Sequence, residues 1–258
     1  MTIKYFLDSL QGIRPKNDDR ASVLQNSKAT LAILCDGIGG HAFGDEAAQL
    51  VIDTFNDEFQ NNFFIKNNLT AKQWIFSTFE KAKNRLKQEA FSDVNKNSMG
   101  TTAVGCLILY ETKQIVVFNS GDSRCYIVNN TELVQITIDH NLENKLLADG
   151  LSSKDLELYK NINSNQLKAL TSAVLPNYNT LIEIFEIPTK GFESINKILL
   201  TSDGVHGFMD KNELELFMLQ NKDISIIGKE VLENAILSES TDNMTLIILE
   251  LQHGGENE

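Results

Sequence analysis

Apolar runs of strand length recur along the chain, and four of them end or begin at an aspartate. Leu31-Ala32-Ile33-Leu34-Cys35 stops at Asp36, and Gly37-Ile38-Gly39-Gly40-His41 follows. Ile115-Val116-Val117-Phe118-Asn119-Ser120-Gly121 runs into Asp122, and Ile198-Leu199-Leu200-Thr201-Ser202 into Asp203-Gly204. In the fourth, Asp242-Asn243 opens a run from Met244 to Leu251. Apolar runs this short, bounded by turn residues, are buried strands rather than membrane spans. A glycine beside the carboxylate lets backbone come close to whatever the carboxylate holds. One Asp-Gly after a strand is an ordinary turn; four strand ends of the same kind point to a single site.

Between these strands the period changes. From Gly44 to about Phe59, the positions of Ala47, Val51 and Phe55 predict an amphipathic helix. Thr70-Ala71-Lys72-Gln73 has the form of a capping box. The helix it opens carries Ile75, Phe79, Ala82 and Leu86 on a core stripe beside Trp74, with Lys81, Lys83, Lys87 and Glu89 outside it. Residues 101–110, 115–119 and 124–128 are β-rich, and their short connections predict antiparallel neighbours. Residues 133–138 add a further strand, and 141–149 a short helix stopped by Gly150. Residues 150–180 show no regular period and read as a functional flap or a mobile loop. Residues 181–187 alternate apolar and acidic positions as a half-exposed strand does. Helices near 211–220 and 223–237 precede the last strand. Residues 1–30 read as one or two edge strands around the polar loop 11–20, and 253–258 as a frayed tail. With no internal repeat and no linker, residues 1–252 are expected to form one domain.

The composition is that of an ordinary globular protein, with 258 residues, 42% hydrophobic and only 3 prolines. A net charge of −12 repels polyphosphate backbones, so nucleic acid is not an expected partner. The three cysteines, Cys35, Cys106 and Cys125, lie in apolar surroundings without metal or redox spacing. With no secretory signal, they read as reduced core thiols of a cytoplasmic protein. No apolar stretch approaches the ~20 residues of a membrane helix, so no membrane association is expected.

Aspartates gathered at one place repel one another and need cations or basic residues to neutralise them. An all-oxygen ligand set selects Mg²⁺, Mn²⁺ or Ca²⁺ over Zn²⁺. A short carboxylate such as Asp36 can bridge two such ions ~3.5–4 Å apart, and the pair lowers the pKa of a shared water toward neutrality. Phosphate esters are the usual substrates of that chemistry, and an arginine suits their oxygens. A nucleotide-binding glycine loop of either common spacing is absent, as is a nucleophile elbow.

Eight short motifs then fall in a familiar order. They are Arg14-Pro15-Lys16-Asn17-Asp18-Asp19, Asp36-Gly37-Ile38-Gly39-Gly40-His41, Met99-Gly100-Thr101-Thr102, Gly121-Asp122-Ser123-Arg124, Asp139-His140, Ala169-Leu170-Thr171-Ser172-Ala173-Val174-Leu175, Thr201-Ser202-Asp203-Gly204 and Asp242-Asn243. In that order the chain resembles the metal-dependent protein phosphatases of the PPM family, type 2C, in their compact bacterial form. The resemblance implies an α+β fold, a four-layer α/β/β/α sandwich of two antiparallel sheets flanked by helix pairs, with a metal cleft at one end. It implies hydrolysis of phosphoserine and phosphothreonine in proteins by a metal-bridging hydroxide, with two or three Mn²⁺ or Mg²⁺ ions.

Carried over position by position, the resemblance makes Asp36 a bridging ligand and Gly37 a carbonyl ligand. Asp203 and Asp242 become ligands of the second metal, and Asp18 a ligand through water. Asp122 with Asp203 matches a third-metal position, Arg14 the phosphate-binding arginine, and Asp19 and Asn243 supporting residues. Ile38 stands where many relatives place a histidine proposed as general acid. The resemblance also implies a flap over about 145–180, which has Lys160-Asn161-Ile162-Asn163 where a His-Pro pair is often found. His41 reads as a structural hydrogen-bonding residue of its turn, and His206 is given no role. The implied partner is a phosphorylated protein, opposing a serine/threonine kinase, with the enzyme acting as a monomer. Two other readings use the same residues: a non-catalytic member serving as a binding module, which loss of metal ligands would mark, and a phosphatase of small phosphorylated metabolites.

Overall fold

A computed structural model describes residues 2–38, 43–65, 68–187 and 189–252. Two five-stranded antiparallel sheets stack face to face. The first contains β1 (Thr2–Leu10), β6 (Arg124–Val128), β7 (Leu133–Gln135), β9 (Lys197–Thr201) and β10 (Met244–Gln252), in the order β1-β10-β9-β6-β7. The second contains β2 (Arg20–Gln25), β3 (Ala29–Cys35), β4 (Ala103–Leu109), β5 (Gln114–Ser120) and β8 (Glu183–Ile187), in the order β2-β3-β4-β5-β8. Helices α1 (Gly44–Asn61) and α2 (Asn68–Ser92) cover the second sheet. Helices α3 (Leu142–Ala148), α4 (Ser153–Leu167) and α5 (Thr189–Phe192) lie between β7 and β9 in sequence. The short α6 (Asp203–His206) follows β9, and α7 (Lys211–Met218) and α8 (Ile224–Leu237) cover the first sheet. This is the expected four-layer sandwich.

Strand periodicity distributes the core into three layers. All of β3 is buried, yet alternate residues face opposite ways, as pleating requires. Leu31, Ile33 and Cys35 pack on the α1/α2 layer, whereas Ala32 and Leu34 enter the layer between the sheets. On β10, Leu246 and Ile248 turn toward α8 while Ile247, Leu249 and Leu251 join the same inter-sheet layer. Both inner strands are therefore apolar on both faces, which is why they read as unbroken hydrophobic runs. At one edge of the first sheet, β1 pairs with β10 along its whole length, from Thr2↔Gln252 to Leu10↔Met244.

Several expectations change at the boundaries. The helix carrying Ile75, Phe79, Ala82 and Leu86 has all four buried, with Trp74 in the same core. It starts at Asn68, so Thr70 lies inside its first turn and is not its cap. Lys83, expected on the outer face, is buried at 9% exposure. The strand expected over 133–138 ends at Gln135, because Ile136 N donates to the Cys125 carbonyl and Thr137 Oγ1 is taken by Cys125 N. Strands β4 and β5 are antiparallel neighbours as read, but β5 and β6 are not. The link through Gly121, Asp122 and Ser123 carries the chain from one sheet to the other, with Asn119 Nδ2 tying the Gly121 and Ile138 carbonyls at 3.0 and 3.1 Å. Residues 150–180 are not structureless: α4 occupies 153–167, capped by Ser152 through Asp155 N. Its apolar positions are too sparse to show a stripe, which hid it. The tail 253–258 and His41 lie outside the described residues.

The α1/α2 layer centres on rings. Phe55 stacks on Phe118 at 5.2 Å between centroids, and Phe79 meets both rings edge-on. Phe118 lies over Gly105, its register partner, where a Cβ would clash with the ring and stand 2.7 Å from the Ala32 carbonyl. Gly105→Ala is therefore expected to cost about 1–3 kcal/mol by overpacking. Gly191→Ala, where the nearest atom would lie 3.9 Å away, should stay within about 0.5 kcal/mol of wild type. Urea denaturation of both variants checks the pair; equal stabilities would mean the ring does not rest on Gly105.

Candidate active site

Asp36 sits where β3 ends, and its backbone is pinned from three directions. Its N–H donates to Thr102 Oγ1 at 3.0 Å, while its carbonyl accepts from Thr102 N and Thr101 Oγ1, both at 2.8 Å. The next residue must be glycine: a Cβ on Gly37 would stand 2.5 Å from the Gly44 backbone and 2.8 Å from the Asp18 carbonyl. With backbone on two sides, no shift of a side chain can relieve that contact. Thr102 Oγ1 also contacts Ser123 Oγ at 2.7 Å, joining the Asp36 turn to the crossover that carries Asp122.

The first sheet contributes the other half. Asp203 opens α6 directly after β9, beside Ser202, whose hydroxyl donates to Asp19 Oδ2 at 2.8 Å. Asp242 precedes β10, and its Oδ1 accepts from Asn243 N. The Asn243 side chain is fully used: Nδ2 donates to the Gln11 and Lys16 carbonyls at 2.8 and 3.0 Å, and Oδ1 accepts from Asp18 N at 2.9 Å. This one amide ties the loop before β2 to the start of β10. It is a positioning residue.

Together Asp18, Asp36, Asp122, Asp203 and Asp242 line one cleft of about 210 Å³ with Arg14, Lys16, Gly37, Ile38 and Asn243. Every residue singled out from the sequence is there except Asp19, which is buried behind it against Ser202. Arg14 is exposed at the rim and pairs with Asp242 Oδ2 at 2.5 Å, its Nε donating to the Thr241 carbonyl. Three further residues matter that the sequence reading passed over. Thr102 holds Asp36, and Lys16 Nζ stands 3.0 Å from Asp18 Oδ1 and 2.8 Å from Asp45 Oδ1. The Lys168 charge, just past α4, partly opposes the rise in the Asp203 pKa that burial causes. Lys16 and Thr102 lie inside quoted motifs; nothing in the sequence links Lys168 to a strand end.

Five carboxylates against two cations leave the cleft strongly electronegative. Burial pushes the Asp36 carboxyl well above its ordinary range, and the charges of Asp19, Asp203, Asp122 and Asp242 add to the shift. Burial likewise raises Asp122 to about 7, with Asp203 and Asp139 pushing the same way. Asp19 also rises to about 7 through burial and the Asp203 charge, although the Ser202 hydrogen bond pulls it back. Asp203 is raised by burial and by Asp242, and Arg14 and Lys168 oppose this. Asp139 is spent elsewhere, on Arg124, which it binds through both oxygens at 2.7–3.2 Å.

The donor set fits hard divalent cations. It is all oxygen, its five carboxylates outnumber the two cations that line the cleft with them, and buried Asp19 Oδ1 has no hydrogen-bond partner among the described residues. Among the described residues, no three acidic, histidine or cysteine side chains are already drawn in around one point.

Three comparisons bear on this cleft. The family model described as Protein phosphatase 2C matches residues 3–146. The chain is 27% identical over 239 residues to the serine/threonine phosphatase stp of Listeria innocua, covering 92% of this chain and 91% of that one. It is 30% identical over 251 residues to a putative protein phosphatase of Mycoplasma pneumoniae, covering 93% and 92%. Among solved structures, the serine/threonine phosphatase Stp1 of Staphylococcus aureus superimposes with a TM-score of 0.84 at 26% identity, covering 97% of this chain and 95% of that one.

A stability measurement tests the charge balance. Without metal, Asp122 binds a proton in the folded chain up to about pH 7, whereas an unfolded aspartate releases it near 3.9. The stability this proton confers is therefore complete below about 4 and is lost progressively as pH rises from there to about 7. In EDTA, Asp122→Asn should melt higher than wild type at pH 8 and nearly equally at about pH 4, the ordinary aspartate value. A difference that is the same at both values would show that Asp122 does not carry this charge.

Proposed function

Because the chain belongs to the protein phosphatase 2C family, we propose that it is a metal-dependent phosphatase that removes phosphate from serine and threonine side chains of proteins. The observation that carries this reading is the convergence of aspartates from four strand ends, two on each sheet, on one cleft with an arginine at its rim. Asp36, the Gly37 carbonyl, Asp203 and Asp242 would hold two Mn²⁺ or Mg²⁺ ions. Asp18 would reach them through water, and Asp122 with Asp203 would hold a third. When bound, such ions supply Lewis acidity, lower the pKa of water and neutralise phosphoryl charge.

The chain's own residues bind, orient and shield. Arg14 offers a planar fork to phosphate oxygens at the mouth of the cleft, a stronger grip than a single ammonium gives. Asn243 and Thr102 fix the backbones that present Asp18 and Asp36. Ile38 lines the cleft but can hand no proton to a departing alkoxide. A member reduced to a binding module would have lost carboxylates from the cleft, and the five are retained. Among the described residues no helix is long and apolar enough to cross a membrane. We read residues 1–252 as one catalytic unit, monomeric and cytoplasmic, opposing a serine/threonine kinase, with residues 145–180 as its flap.

Purified protein should hydrolyse a phosphothreonine peptide with Mn²⁺ and not after chelation. Asp36→Asn and Asp203→Asn should each reduce kcat at least 100-fold, on the order of losing one strong electrostatic contribution, and weaken Mn²⁺ binding by calorimetry while leaving the fold intact. Wild-type activity that survives chelation, or an active Asp36→Asn, would overturn the reading.

Arg14 separates phosphate binding from metal ligation. Its side chain neutralises Asp242 but donates no ligand oxygen, so Arg14→Ala should raise KM about tenfold or more, a charge-assisted pair being worth roughly 1.5–3 kcal/mol, with Mn²⁺ affinity unchanged or slightly stronger. A large loss of metal affinity with KM unmoved would place this arginine wrongly.

A further inference from the structure

Beside the catalytic cleft runs a second, larger depression of about 790 Å³. The two are continuous, because Ile38 and Leu170 line both. Ala173, Leu175 and Tyr178 complete its apolar lining, and Asn97 and Asn179 are among its polar residues. Ile38 and Leu175 of its lining close in on Gly100, where a Cβ would stand 3.1 and 3.0 Å from them. None of its described lining residues is charged, although the chain carries a net charge of −12.

The groove is built into the fold. Val174 and Thr101 exchange backbone hydrogen bonds at 2.9 and 3.2 Å, fastening the segment after α4 to the strand that starts beside Asp36. Within the segment, Leu181 N donates to Ser172 Oγ at 2.8 Å and Thr180 Oγ1 to the Ala173 carbonyl at 3.1 Å. Tyr178 nevertheless remains 64% exposed. A large aromatic ring held in the open beside a cleft, on a tied-down segment, is the arrangement expected of a binding wall, since little ordering remains to be done when a ligand arrives.

We infer that this groove receives the polypeptide flanking the phosphorylated residue and selects an uncharged, apolar side chain next to it, with Tyr178 as a specificity-determining residue. The inference rests on the phosphatase reading of the adjoining cleft. The occupant follows from continuity: a phosphorylated side chain seated among the aspartates leaves its backbone at the mouth, and Ile38 and Leu170 lead from there into the groove. A small phosphorylated metabolite would fill the cleft and leave the groove empty. An acidic flank would meet an uncharged wall on a negatively charged protein, losing both contact and favourable charge.

Phosphothreonine peptides carrying leucine, serine or glutamate at the immediately flanking positions, on either side, test this with Mn²⁺ present. Wild type should show kcat/KM roughly tenfold higher for a leucine-flanked peptide than for the serine one, the scale an apolar pocket gives, and lower still for glutamate. Tyr178→Ala should abolish most of that preference, and Tyr178→Phe should keep it. Both should hydrolyse p-nitrophenyl phosphate, which has no flanking chain, at the wild-type rate. Equal kcat/KM for the three peptides overturns the inference alone, as does a Tyr178→Ala defect of the same size on p-nitrophenyl phosphate. Failure of wild type to hydrolyse any of these esters overturns the phosphatase reading, and this inference with it.

Discussion

Five like charges are kept within one cleft, and the rest of the molecule is what makes that tolerable. Each aspartate sits at the end of a strand or a turn from it, so its position is set by a ladder rather than by its neighbours' repulsion. Asp36 hangs from β3 and Asp203 from β9, in different sheets, and the inter-sheet layer of Leu34, Leu200 and Ile247 holds the two together. The burial that fixes the carboxylates is also what raises their pKa values. Stability at the site and affinity for cations are thus opposite sides of one arrangement, a common cost of building a charged site into a packed scaffold.

Much of this was legible because strand ends are punctuated sharply. An apolar run that halts at Asp-Gly marks both an element boundary and a candidate ligand, so the same residues served fold and site. The inner strands β3, β4, β5 and β10 have apolar residues on both faces and stand out from any context. What escaped notice had no such contrast. Helix α4 carries Leu156 buried among mostly polar neighbours, so its period is faint. The passage from β5 to β6 looks like a hairpin from its length, and only tertiary packing sends the two strands to different sheets. The pairing of Arg14 with Asp242 joins residues 228 positions apart, beyond the reach of any local pattern.

The site also shows why a motif can hold more than its ligands. Within Arg14-Pro15-Lys16-Asn17-Asp18-Asp19, Asp18 faces the cleft, Asp19 turns behind it to Ser202, and Lys16 spans Asp18 and Asp45. Asn243 holds this loop by its backbone. Motif spacing records this division of labour without revealing it, since adjacent residues on an extended loop point in opposite directions.

The pairing of β1 with β10 bears on how the molecule can be tethered. Leu10 and Met244 meet at the cleft end of the sandwich, and Thr2 and Gln252 at the other. Nine residues of strand separate the two ends, a span of roughly 30 Å. Any sequence joined at residue 2 or residue 252, whether a purification tag, a fluorescent reporter or a surface linker, therefore emerges on the side away from the aspartates. An immobilised molecule attached there would present its cleft outward, and both attachment points would leave side by side, so one short strap could close the chain into a ring.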